Sequence, residues 1–102
     1  MGSTFTMSKK QIKEDLQGAR DLIEKHGWRQ GDLGTITEGF CILGSLDYFL
    51  VVVEHDANVA RGERVLQYLE SFTGGDVVNW NDLEGRTKED VLALFDRAIA
   101  SL

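Results

Sequence analysis

The 102-residue chain carries 42% hydrophobic residues, one cysteine, no proline and a formal net charge of −6. That length suits one domain with a single core, and the lack of proline leaves helix interiors without their usual breaker. The charge is uneven, six Lys/Arg against five Asp/Glu over residues 1–35 and five against twelve over residues 36–102, which argues against nucleic acid as a partner because phosphate binding requires a basic face.

In chain order, residues 1–7 precede any helical pattern and read as a disordered leader or expression remnant, with 8–102 as a single helical domain. Ser8 and Gln11 form a capping-box pattern, and Ile12, Leu16, Ala19, Leu22 and Ile23 recur at helical spacing until Gly27. This predicts a helix over 8–26. His26 falls in its last turn, where an imidazolium would face the negative end of the helix dipole. Gly31, Gly34 and the threonines to Thr37 give a loop of low pattern, with Trp28 expected to anchor it on the core.

Phe40 to Val53 is the one long apolar run, interrupted by a single charge at Asp47. A run of roughly fourteen residues suits a central helix, near 38–54, better than a strand of typically four to eight, and is too short to span a bilayer. A strand over 46–53 is the competing reading, because Tyr48–Val53 is aromatic and β-branched. Cys41 inside this run reads as a small buried hydrophobe; alone, it excludes an internal disulfide and fits a reducing cytoplasm. The polar N-terminus predicts no signal peptide.

Asp56 or Asn58 can cap a third helix over 57–73, whose stripe is Val59, Gly62, Val65, Leu66, Leu69 and Phe72; Arg61, Glu63, Arg64 and Glu70 opposite read as a solvated face. Thr73-Gly74-Gly75 ends it. Asp76 to Trp80 reads as a short extended segment and Asn81 to Gly85 as a turn. Thr87 and Asp90 repeat the capping pattern before a wide stripe containing Val91, Phe95, Ala98, Ile99 and Leu102, a helix over 87–101.

No motif of catalytic, metal or nucleotide chemistry stands out. Aligning Gly85 with the invariant glycine of a calcium loop puts Trp80 and Val91 where carboxylates are required. Cys41, His26 and His55 lack zinc-ligand spacing, and nothing local places Cys41 beside either histidine and Asp56 as an activated nucleophile. No cofactor and no metal are expected, and the glycine-rich phosphate loops are absent.

Trp-Asn-Asp-Leu-Glu-Gly-Arg-Thr and its continuation at 80–100, with Cys-Ile-Leu-Gly-Ser-Leu at 41–46 and Gly-Trp-x-Gln-Gly at 27–31, resemble a family of small proteins from actinobacteria and their bacteriophages, a domain of unknown function. The resemblance covers the chain from about Leu16 onward. It implies a bacterial or phage cytoplasmic origin, supports the helical reading of the central run and supplies no catalytic residue. Trp28, Gln30, Cys41, Trp80, Asn81, Asp82 and Arg86, if they converge, are the site candidates. The competing structural role has Trp80 packing, Asn81 and Asp82 holding a turn through backbone amides, and Arg86 pairing with a carboxylate.

The expected fold is mostly α, a compact domain of about four helices around a central apolar one, with an α+β variant having strands near 46–53 and 76–80 as runner-up. The expected function is a non-enzymatic interaction protein, such as a phage accessory factor that binds a host protein through an apolar helix face with an acidic rim. The alternative is a small-ligand binder or minor enzyme using Trp28, Trp80, Asn81, Asp82 and Arg86; a homodimer covering the same patch is a third reading. Neither nucleic acid nor membrane is expected as a partner.

Overall fold

Ser8 accepts a hydrogen bond from Gln11 N at 3.1 Å and so starts α1 (Lys9–His26), which stops at Gly27, φ 105°. The computed structural model describes residues 8–102, and the expected leader over 1–7 lies outside them. Past Trp28 the expected loop contains a small hairpin, β1 (Gly34–Thr35) against β2 (Gly39–Phe40), antiparallel with Gly34 opposite Phe40. Gly39 permits this turn because its φ is 89° and a Cβ there would lie 2.7 Å from the Gly27 carbonyl carbon.

The hairpin corrects the start of the central helix. Residues 38–40 belong to the turn and β2, and Cys41 is the N-cap of α2 (Ile42–Asp47), its Sγ accepting from Gly44 N at 3.2 Å. The chain then widens into a π-helical segment (Tyr48–Val53), closed by Glu54 N donating to Phe49 O at 2.9 Å. Thus 46–53 is helical, with residues 48–53 in a looser winding than the α-helix expected there.

Asn58 caps α3 (Val59–Thr73), accepting from Ala60 N, while Asp56 accepts from Asn58 N; Gly74 ends the helix in the left-handed conformation at φ 76°. Asp76 to Trp80, expected as extended, is instead the cap and start of a short helix, α4 (Val77–Asp82). The Asp76 carboxylate accepts from Val78 N and Asn79 N, and Val77 is fully buried, so capping and burial override the strand propensity of Val-Val. Asn81 and Asp82 therefore close a helix rather than form a turn. Thr87 and Asp90 form a reciprocal capping box on α5 (Lys88–Ala100).

The core is built from Leu16, Ala19 and Ile23 of α1, Phe40, Ile42 and Leu46 of the central run, Val65 and Leu69 of α3, Val77 of α4, and Val91, Leu94, Phe95 and Ala98 of α5. Burying each large aliphatic side chain contributes about 1.5–3 kcal/mol. On the outside, Arg20 of α1 grips Asp96 of α5 at 2.6 Å, and Lys88 Nζ donates to Glu24 O. No helix among the described residues is long and apolar enough to cross a membrane.

Candidate functional site

Asn81 sits at the end of α4 with no solvent exposure, and two distant parts of the chain, residues 28–29 and Ile42, converge on its side chain. Its Oδ1 accepts from Trp28 Nε1 at 2.7 Å and from Ile42 N at 3.1 Å, the latter a first-turn amide of α2 that needs an acceptor outside its own helix. Its Nδ2 donates to Arg29 O at 3.1 Å and to Asp82 Oδ1 at 2.9 Å. Gln30 Nε2 donates to the carbonyls of Asn81 and Leu83, both at 3.0 Å, and Gly31 N donates to Asp82 Oδ1.

Trp28, Gln30, Asn81 and Asp82 are thus brought together in one knot, with Cys41 beside it through Ile42. Trp80 and Arg86 form a neighbouring pair: the guanidinium lies 3.6 Å over the indole centroid, and Arg86 Nε donates to Trp80 O at 2.8 Å. The expected carboxylate partner of Arg86 is replaced by this stacking and by a backbone carbonyl. Trp28 Nε1, Gln30 Nε2, both side-chain polar atoms of Asn81 and Asp82 Oδ1 are bonded to one another and to backbone, so they fasten the 28–31 segment to α4.

Next to the knot lies an open cavity of about 300 Å³ lined by Gly31, Asp32, Leu33, Cys41, Leu43, Val78 and Asp82. Of the expected site residues only Asp82 and Cys41 reach it. Burial pushes the Cys41 thiol above its ordinary range, which keeps it protonated rather than nucleophilic. His26 stacks its edge on Phe40 at 6.3 Å, and His55, φ 55°, stands in the loop after the π segment, so neither activates Cys41 within a hydrogen-bond pair. Among the described residues no group of three or more His, Cys, Asp or Glu is arranged to hold a metal ion.

A second feature went unread in the sequence. Asp15, with no solvent exposure, faces Arg61 through bonds of 2.6 and 3.1 Å, and the same guanidinium reaches Asp56 at 2.9 Å and Glu54 at 3.2 Å. Arg61 is therefore not a solvated residue of α3. It clamps α1, the end of the π segment and α3 together, and its charge holds the Asp56 carboxyl below the usual carboxylate range. The signal was present: Asp15 lies three residues after Ile12 and four before Ala19, on the apolar stripe itself.

Alongside this clamp, α2, the π segment and α3 enclose a groove of about 250 Å³. Leu43, Leu46, Leu50, Val51, Val59, Gly62 and Leu66 supply its apolar lining, with Asp47, Asp56 and Glu63 among its walls. Val51 and Val59 of this lining are exposed, Val59 by 72%.

A protein-family profile matches residues 7–101, nearly the whole chain. The chain belongs to the family of unknown function DUF6197. No curated protein and no solved structure matches this DUF6197 chain. Family membership brings no activity to it, and its knot and groove must be read from their own chemistry.

Proposed function

We propose that this DUF6197 chain is a non-enzymatic interaction module that receives an apolar segment of a partner protein in the groove between α2, the π segment and α3. The observation that carries this reading is the groove itself, apolar inside and continued outward by exposed valines. Its volume of about 250 Å³ is enough for one or two side-chain anchors of a partner segment. The ligand-binding alternative at Trp28, Trp80, Asn81, Asp82 and Arg86 has less support, because those polar groups are bonded to each other and to backbone.

An accessory protein of phage or actinobacterial origin, acting on a host protein in the cytoplasm, is the finer form of the proposal. Its support is the likeness of the 80–100 motif to proteins of that origin, together with the single buried cysteine.

Photo-crosslinking in the source organism tests the interaction. A crosslinker at Val51 or Val59 is expected to trap one protein in high yield, whereas the same group at exposed Glu89 of α5 traps none. Equal, diffuse labelling from all three positions would sink the reading; self-crosslinks confined to Val51 and Val59 would replace it with a homodimer.

A further inference from the structure

We infer that the occupant of the groove is a cationic amphipathic helix of the partner. This rests on the interaction reading above and adds the chemistry of the bound segment. Protein grooves take peptide segments in a few recurring ways. Strand addition needs an open sheet edge, yet the groove is walled by helices, and the one sheet among the described residues is a hairpin of two-residue strands in the 34–40 loop. Polyproline recognition needs aromatic walls, and the lining holds no aromatic residue. A helix that lays an apolar face on aliphatic side chains remains, with anchors one turn apart.

The charge follows from the rim. Asp47, Asp56 and Glu63 stand in the groove wall with no Lys or Arg among the lining residues. At one end Asp15, Glu54 and Asp56 share the single guanidinium of Arg61, which leaves that end negative. Asp47 and Glu63 are exposed and have no ion-pair partner among the described residues. Arg64, the other cation of this region, is not among the groove's lining residues; it lines an adjoining depression with Ala60, Gln67 and Glu63, the last shared with the groove. Lys or Arg flanking the apolar stripe of an incoming helix would meet these carboxylates, whereas Asp or Glu there would be repelled.

Three designed peptides of about 18 residues, enough for roughly five helical turns, test this. They share one leucine stripe and carry Lys, Gln or Glu beside it; binding is followed through backbone amide NMR shifts of the intact chain. The Lys peptide is expected to bind about tenfold more tightly than the Gln peptide at about 50 mM salt, with the advantage shrinking at about 500 mM, and the Glu peptide most weakly. The shifts should cluster at Leu46, Leu50, Val59 and Gly62, and the neutral change Val59→Ser should weaken all three peptides without altering their order. The pair Asp47→Lys and Glu63→Lys, both at exposed positions, should reverse the order of the Lys and Glu peptides. Equal affinity of all three at the groove amides overturns the charge inference and leaves the interaction reading standing. Shifts elsewhere, or no shifts with any peptide, overturn the helix-in-groove inference, and the crosslinks from Val51 and Val59 then decide the broader reading independently.

Discussion

Asn81 shows how much one side chain can hold when every one of its polar atoms is used. Asn81→Ala strands the buried Ile42 N–H and the Trp28 indole N–H without their acceptor and frees the Arg29 carbonyl. Leaving a buried donor unsatisfied costs about 1–3 kcal/mol, so urea denaturation of Asn81→Ala should show a loss of about 3 kcal/mol or more. Trp28 fluorescence should shift in the native baseline as its ring loses its tether. Unchanged stability would mean that the knot is not structural and would return Trp28 and Asn81 to the ligand-binding alternative. The identities of these residues stood in the sequence, but their pairing did not: Trp28 and Asn81 are 53 positions apart, and no periodicity links them.

Two glycines on facing elements behave oppositely, and the reason is what a methyl group would touch. Gly18 lies in mid α1 beneath Phe49 of the π segment, where an added Cβ would fall 2.1 Å from the ring. Gly62, in the first turns of α3, has room: the nearest atom to an added Cβ is Leu50 Cδ1 at 3.7 Å. Alanine improves helix propensity by about 0.8–1 kcal/mol at either site. At Gly62 that gain should survive as a raised melting temperature, while the new methyl narrows the groove and weakens the Lys peptide. At Gly18 it should be outweighed by an overpacking cost of about 1–3 kcal/mol, seen as a lower melting temperature. A stabilised Gly18→Ala would show that Phe49 does not pack on α1 as described. Among the elements themselves, α1, α3 and α5 were legible because stripes and caps are local signals, and Ser8, Asn58, Gly74 and Thr87 all sit where those signals put them. α4 was not. Val77, Val78 and Trp80 carry strand propensity, and their helix depends on the Asp76 cap and on burial against the core.

Across the whole molecule, the Arg61 clamp joins α1, the π segment and α3, so its titration should be felt as global stability. Asp56 is held below the ordinary carboxyl value by Arg61, chiefly through their hydrogen bond. Between its native value and the ordinary value near 3.9 the unfolded chain binds more protons, and stability falls as the pH drops through that window. In urea titrations from about pH 6 to about pH 3, Asp56→Asn should therefore lose less stability on acidification than the parent chain. Parallel curves would remove Asp56 from the clamp.

The sequence by itself determined the helical class, the three long helices, most of their ends and the buried place of the first half of the Phe40–Val53 run, whose end at Val51 to Val53 is exposed, because caps and apolar stripes act between residues within a turn or two of each other. The acidic imbalance behind the rim was legible in the same way. Tertiary structure alone decided the hairpin, the π winding, the helical state of α4, the Asn81 knot and the pairing of Asp15 with Arg61 across 46 positions. Each depends on groups from distant parts of the chain meeting in a desolvated interior, where an unpaired amide or charge is costly and the available partner sets the local geometry. The groove has the same origin: its walls were legible as stripes, but which flank they leave uncovered is settled only when the helices pack.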